Sequence, residues 1–275
     1  LLVKLINEGM RSNLDVLMTA QRLEMSAADF RMAKGALFPT VSANASYMRR
    51  KFGLYTMDGA GNITTDILPG QIVPVHLPDY YFGLQTSWEV DVWGKLKNKR
   101  KASLARYLSG VEGKNLVITG LVAQLAHAYY ELIALDNELD VIRQTVDLQE
   151  KALELVTSQK QAAAANELVV TQFKAQLLHS RALEFETLQK ITEFESFINV
   201  LLGRFPQQIA RNKTVFNQPI AMIPSVGVPA NLLQNRPDIR KAELELAASK
   251  ADVNAARAAF YPSLAISGGV GLQAF

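Results

Sequence analysis

Few residues in this chain are placed for chemistry. Its three histidines, His76, His127 and His179, are far apart in the sequence. His127 and Glu131 are four apart, which on a helix brings a nitrogen and a carboxylate to one side, as a metal pair requires. The same spacing is common in helices that hold nothing. There is no cysteine, so neither a disulfide nor a thiolate metal site can form, and the compartment is not legible from cysteine usage. Met18, Met25 and Met32 recur every seven residues, on one helix face. A thioether ladder of this kind suits soft-metal handling; packing in a helix seam is the plainer reading. No serine sits in a nucleophile elbow. Gly268-Gly269-Val270-Gly271 does not open a helix, so it cradles no phosphate, and glycine within a strand marks a bend or a close approach. No catalytic set, cofactor site or metal site emerges.

The elements are more informative. Net charge is +3 over 275 residues, and no basic stretch is interleaved with stacking aromatics, so nucleic acid is not an expected partner. No run of about 18 apolar residues marks a membrane helix, and the opening LLVKLINEGM is too short and polar for a signal core. The chain therefore reads as cytosolic, already processed or a fragment, with the last two favoured. Two segments alternate with period two. In 39–53, Val41, Ala43, Ala45 and Tyr47 alternate with Ser42, Asn44 and Ser46. In 80–93, Tyr80, Phe82, Leu84, Thr86, Trp88, Val90 and Val92 share one face, and Gly83, Gln85, Ser87, Glu89 and Asp91 the other. A strand of that length, apolar and aromatic outside and polar inside, is what a lipid-exposed barrel requires. An antiparallel hairpin laid on a soluble core alternates in the same way. Between them, 54–79 reads as a long loop with a DGAGN turn at 58–62.

Helices occupy most of the remainder. Residues 1–37 read as helix, broken near Gly9, with Asn13 able to cap the second part. After Gly94 comes the basic run Lys95-Leu96-Lys97-Asn98-Lys99-Arg100-Lys101, whose sign is the opposite of what a helix start prefers. A helix over about 96–158 carries an apolar seam at steps of three and four, from Leu104 and Leu108 through Leu125 and Leu132 to Val156. It would extend roughly 95 Å at ~1.5 Å per residue. The chain turns near 158–168 and returns as a helix over about 166–203, with Asn166 as cap and a seam of Leu178, Ala182, Phe185, Leu188, Ile198 and Leu201. Prolines at 206, 219, 224 and 229 exclude long helix from 204–234.

The last segment repeats the first. In 235–275 a helix with Ile239, Ala242, Leu246, Val253 and Ala256 at helical spacing ends at Tyr261-Pro262, and a strand follows with Leu264, Ile266, Val270 and Leu272 on one face. With Pro262 laid on Pro39, Asp15/Asp238, Leu23/Leu246, Ser26/Ser249, Ala28/Ala251, Asp29/Asp252, Ala33/Ala256 and Ala36/Ala259 coincide. The shared helix–proline–strand order marks a duplicated half.

LLQNRPDIRKAELELAASKADVNAARAAFYPSLAISGGVG (232–271) resembles the signature of the TolC family of outer-membrane efflux proteins, the outer membrane factors of RND-type tripartite pumps. Leu232, Leu233, Arg236, Pro237, Asp238, Ile239, Arg240, Ala242 and Glu243 match, as do Ala256 to Ser263 with Tyr261 in place of Phe. SWEVDVWGK (87–95) is similar to the family's strand-to-helix junction, and INVLLGRFP (198–206) to the end of its first hairpin.

The resemblance implies a mainly α fold with β: long antiparallel helices forming an α-barrel that continues into transmembrane β-barrel strands, in two repeats, as a homotrimer. It implies a periplasmic helix (1–38), barrel strands one and two with an extracellular loop (39–93, loop 54–79), a helical hairpin (94–203), an inter-repeat linker (204–234), a second-repeat helix (235–261) and the start of strand three (262–275). Gln85, Ser87, Glu89, Ser42 and Asn44 would then line the pore; Phe82, Leu84, Trp88, Val90, Leu264 and Ile266 would face outer-membrane lipid. The hairpin tip, Ala162, Ala163, Ala164, Ala165, Asn166, Glu167 and Leu168, would meet a periplasmic adaptor serving an inner-membrane RND-type pump. An amino-terminal lipidated cysteine would lie upstream, and the gate of the second hairpin beyond Phe275. The implied role is passive export from the periplasm through the bacterial outer membrane, without catalysis or cofactor. The competing reading is a soluble coiled-coil scaffold with a small β-hairpin.

Overall fold

A computed structural model describes residues 1–212 and 235–274. The element order is α1 (Leu2–Ser12), α2 (Leu14–Gly35), β1 (Thr40–Arg50), α3 (Met57–Thr64), β2 (Asp66–Leu68), β3 (Gln71–Ile72), β4 (Leu77–Val90), α4 (Lys95–Gln161), α5 (Glu167–Leu201), α6 (Pro237–Ala258) and β5 (Leu264–Ala274). The chain forms two units: Leu1–Met25 with Leu108–Glu243, and Ser26–Tyr107 with Leu244–Phe275. The duplication is explicit in the elements. Helices α2 and α6 are each 22 residues long, and strands β1 and β5 are each 11.

The first unit is helical. Leu121, Leu125, Ala128, Tyr129, Leu132, Ile133, Leu135 and Leu139 of α4 form one buried cluster with Val16 of α2, Ile191, Ile198 and Leu201 of α5, then Leu202 and Ile209. Burying each leucine, isoleucine or valine among them is worth about 1.5–3 kcal/mol. This cluster explains why α4, 67 residues long, contains a window apolar enough by length and composition to cross a membrane, although no long uninterrupted apolar run is visible. A third of that window is buried inside the protein. Ion pairs Arg143–Glu184 at 2.8 Å and Arg181–Glu150 at 2.6 Å link α4 to α5.

The break in the first helix falls at Asn13 and not at Gly9. Gly9 is a contact position: a Cβ there would meet Leu125 at 3.0 Å. Asn13 ends α1 because its side chain serves two partners. Its Oδ1 accepts from the Val16 N–H at 3.0 Å, capping α2. Its Nδ2 donates to the Leu201 carbonyl at 2.8 Å, and the Ser12 hydroxyl donates to the Leu202 carbonyl at 2.6 Å. Two carbonyls left over at the end of α5 are thereby satisfied.

The second unit contains the sheet β1-β4-β5, antiparallel throughout, with β4 central. The strands are shorter or displaced relative to expectation, 40–50 in place of 39–53 and 77–90 in place of 80–93. The expected loop 54–79 holds α3 and the pair β2–β3. DGAGN is helical and not a turn, because the Thr56 hydroxyl caps α3 by accepting from the Gly59 N–H at 3.1 Å. Close approach to the Gly53 carbonyl leaves no room for a Cβ at Gly59. Gly70 supplies the positive φ, 83°, of the β2–β3 turn.

Several expected helix seams are corrected. On α4, Leu104 and Leu108 are exposed while Ala102, Ser109 and Glu112 are buried. On α5, Leu178, Ala182 and Phe185 are exposed, and the buried line runs Leu177, Ser180, Thr187, Ile191, Ile198. On α6 the expected Leu246 and Val253 are exposed and Ala248, Ala255 and Ala258 are buried. Met18, Met25 and Met32 are all exposed on α2, so they form no seam within the chain. On α6 the reason is size: the small side chains of Ala248, Ala255 and Ala258 let a neighbouring helix approach closely, and the broader apolar face is left outside. Of the expected 204–234 linker, 213–234 lies outside the described residues.

Candidate functional site

The strand register sorts the sheet into two chemically distinct faces. Val41 lies opposite Thr86, Ala43 opposite Leu84, Ala45 opposite Phe82 and Tyr47 opposite Tyr80. On the other side of β4, Val90 lies opposite Leu264, Trp88 opposite Ile266, Leu84 opposite Val270 and Phe82 opposite Leu272. Because side chains alternate with period two, these residues form one apolar face across all three strands. The opposite face pairs Thr40 with Ser87, Ser42 with Gln85, Gln85 with Gly269 and Ser87 with Ser267. The apolar face is not covered: Phe82 is 60% exposed, Leu264 and Ile266 56%, and Val270 74%. Every residue of β1 and β5 is exposed.

Aromatic rings mark both ends of that face. At one end Tyr47 and Tyr80 meet with centroids 5.0 Å apart, and near the other Trp88 lies opposite Ile266; beyond the strand ends Trp93 stacks on Tyr261 at 4.7 Å. Both tryptophans of the lower end anchor helix-to-strand junctions. Trp88 Nε1 donates to the Leu37 carbonyl at 3.0 Å, and Trp93 Nε1 to the Pro262 carbonyl at 3.0 Å. Each indole thereby holds the chain beside one of the two repeat prolines.

The polar face is continuous. Asn44 Nδ2 donates to Gln85 Oε1 at 3.4 Å, and Thr40 Oγ1 to the Ser87 carbonyl at 3.0 Å. Towards the tyrosine end, Asp79 takes an ion pair from Arg50 at 2.5 Å and a hydrogen bond from Gln273 Nε2 at 2.8 Å. This cluster was not foreseen, because its members come from three strands. The strand glycines have a local cause: a Cβ at Gly83 would meet the Tyr81 hydroxyl at 2.4 Å, and one at Gly271 the same ring at 3.0 Å. Tyr81 therefore lies across a glycine track on the polar face.

At the other end, Glu89 pairs with Lys95. Asp91 caps α4 twice, Oδ1 accepting from the Leu96 N–H at 2.9 Å and Oδ2 from the Lys97 N–H at 2.8 Å. Gly94, at φ 76°, makes the turn into the helix. An acid just ahead of a glycine and a helix start was the signal for that cap.

The helical tip is built around one strained residue. Ala163 has φ 60°, and among the described residues it is the one non-glycine with positive φ. Its N–H donates to the Lys160 carbonyl at 2.9 Å, and the Ala164 N–H to the Gln159 carbonyl at 2.8 Å, closing α4. Asn166 Oδ1 accepts from the Val169 N–H at 3.1 Å and opens α5, as expected. Lys160 and Glu167 pair across the turn, and Ala162, Ala164, Ala165 and Leu168 are exposed or half-buried around it.

His127 and Glu131 lie on α4, and no group of three or more metal-capable side chains forms among the described residues. The Arg-Pro-Asp motif works locally. Arg236 forks onto Asp238 at 2.6 and 3.1 Å, and that guanidinium holds the Asp238 carboxyl below its ordinary range. Arg240 reaches Glu112 of α4 at 3.4 Å. In the helical unit Arg211 binds both Asp136 and Glu195. The Asp136 hydrogen bond does most to keep Arg211 protonated, against the cost of burial.

The profile of the family described as "Outer membrane efflux protein" matches residues 5–204 and 228–274. The chain is 29% identical over 269 residues to the toluene efflux pump outer membrane protein TtgF of Pseudomonas putida, covering 98% of this chain and 53% of that one. Thus the chain spans about half the length of the curated relatives it matches. Among solved structures it resembles the outer-membrane channel OprN, with TM-score 0.83, 25% identity and coverage of 99% of this chain and 59% of that one. It also resembles the Campylobacter jejuni CmeC outer membrane channel, with TM-score 0.85, 21% identity and coverage of 99% and 56%.

Proposed function

Since the chain belongs to the outer membrane efflux protein family, we propose that it forms part of a passive conduit through the outer membrane. In this reading β1, β4 and β5 are staves of a shared barrel, with Phe82, Leu84, Trp88, Val90, Leu264 and Ile266 against lipid and Ser42, Asn44, Gln85, Ser87 and Glu89 on the water-filled side. The observation that carries it is the uncovered apolar face of the sheet, with Tyr47 and Tyr80 at one end and Trp88 near the other. Exposed to water, a patch of that extent is a liability; against hydrocarbon it is stabilising. Three strands with open edges cannot stand in lipid, so further strands must close the barrel. A homotrimer meets that need. The broad apolar faces left outside on α2, α5 and α6, among them Met25, Phe185 and Leu246, offer the helices a matching contact.

In the same reading 1–38, 94–203 and 235–261 are periplasmic helices, 39–93 and 262–275 are barrel, and 204–234 is a linker. The tip at 162–168 is the contact for a periplasmic adaptor, and an inner-membrane RND-type pump supplies the energy. No catalysis is required of the conduit. The relative named for toluene export makes small apolar solutes the first cargo to test.

The test uses the full-length protein in planar bilayers, where stable single-channel conductance is expected. Ser267→Lys on the polar face should still assemble and shift ion selectivity toward anions. Val270→Lys, midway along the apolar face and opposite Leu84, should block insertion, since a lysine facing mid-bilayer costs about 2–4 kcal/mol per strand. The opposite pattern, or a protein that stays soluble without detergent, supports the coiled-coil scaffold and ends the conduit reading.

A further inference from the structure

The basic run at the start of α4 has no part in the conduit as described. Its carboxylate neighbours are already engaged: Glu89 with Lys95, Asp252 with Arg106, and Asp91 with backbone N–H groups. Among the described residues Lys97 and Lys101 are exposed and carry no ion pair. Helical geometry then assigns them a side. Lys95 touches Glu89, a member of the polar strand face. At about 100° per residue, Lys99 lies near Lys95, whereas Lys97 and Lys101 lie roughly half a turn away. They therefore share the side of the apolar strand face.

The same level is basic on the neighbouring helices. Lys34 near the end of α2 and Arg257 near the end of α6 occupy equivalent positions of the two repeats, and both are exposed. The register aligns the lower ends of the strands, Thr40 opposite Ser87 and Leu264 opposite Val90. Lys34, Lys97 and Arg257 lie six or seven residues beyond their strand ends, and Lys101 one helical turn further. Along the chain Trp93 falls between β4 and Lys97, and Tyr261 between Arg257 and β5, and their rings stack. Apolar band, aromatic ring and unpaired cation thus follow one another in the order hydrocarbon, interface and headgroup.

We propose that Lys97 and Lys101, with Lys34 and Arg257, form a collar that binds anionic phospholipid headgroups where the helices leave the membrane. The proposal rests on the conduit reading above. It accounts for a basic run whose sign opposes the helix dipole: anionic headgroups offset that repulsion as they bind.

The experiment takes the purified full-length protein in nanodiscs of phosphatidylcholine with a minor fraction of phosphatidylglycerol, and counts retained lipid by native mass spectrometry. Single-channel conductance is recorded in parallel. Wild type should retain phosphatidylglycerol preferentially. K97Q/K101Q and K34Q/R257Q should each reduce that preference by on the order of tenfold. K95Q/K99Q removes equal charge from the opposite side of α4 and should leave it unchanged. Equal loss in K95Q/K99Q, or none in K97Q/K101Q, overturns the collar, as does a wild type indifferent to headgroup charge. A conducting channel with no such preference refutes the collar alone, whereas a chain that conducts nothing refutes the conduit and the collar with it.

Discussion

Replacing Gly203 with alanine tests how the helical unit is held together. Gly203 has φ 64°, and forcing an L-residue into that region costs about 1–2 kcal/mol. The larger effect is contact. A Cβ at Gly203 would sit 2.4 Å from the Ser12 carbonyl oxygen, a backbone atom that cannot swing aside. The α1–α2 junction must then move away from the end of α5. That movement strains the Ser12–Leu202 and Asn13–Leu201 hydrogen bonds, at 2.6 and 2.8 Å, each worth about 1 kcal/mol net. Together the loss should reach about 3–4 kcal/mol. Gly70 provides the control, because it has φ 83° with nothing within 4 Å of a Cβ. Gly70→Ala should cost only the backbone part, about 1–2 kcal/mol. Chemical denaturation of the full-length protein, followed by far-ultraviolet circular dichroism, measures both. Equal midpoints for the two variants would refute the contact argument.

Three further expectations follow from buried or strained groups. Arg211→Met leaves Asp136, 6% exposed, without its cation and should destabilise by about 3–5 kcal/mol, whereas R211M/D136L should recover much of that loss in the same denaturation assay. Burial is the main cause that raises the Tyr129 hydroxyl above its ordinary value, only partly offset by its hydrogen bond to the Asn212 backbone. The folded state therefore binds this proton more tightly than the unfolded state, so the contribution is full below about pH 10 and is lost as pH rises through the higher folded value. Phenolate absorbance should show one late-titrating tyrosine that disappears in Tyr129→Phe. Ala163→Gly relieves the positive φ at the hairpin tip and should stabilise the α4–α5 turn by about 1 kcal/mol, read as slower amide exchange at 159–167; faster exchange there would contradict the strain.

How much of this was legible beforehand depends on the kind of signal. Strand faces were readable because period two leaves only two choices within each strand, but only the observed register, Ser42 opposite Gln85 and Ser87 opposite Ser267, brings Ser42, Gln85 and Ser267 to one face. Asn166 was readable as a cap because its chemistry is local. Asp79, Arg50 and Gln273 were not, since each is unremarkable in its own strand and only pairing unites them. Gly9 looked like a breaker because glycine weakens helices in general, but the packing of Leu125 and Leu202 against it outweighs that cost.

The chain's own pattern decided element type, the duplication and the chemical division of the sheet, because helix and strand periods, prolines and caps act over a few residues. Tertiary structure decided which helical face is spent inside the chain. On α5 and α6 two faces are apolar enough to bury, and composition favours the wider one bearing Phe185 or Leu246. On α6 close approach of backbones favours the narrow face bearing Ala248 and Ala255, because dispersion falls steeply with distance and small side chains bring the most atoms within reach; on α5 the buried line mixes Ser180 and Thr187 with Leu177, Ile191 and Ile198, so size alone did not choose it.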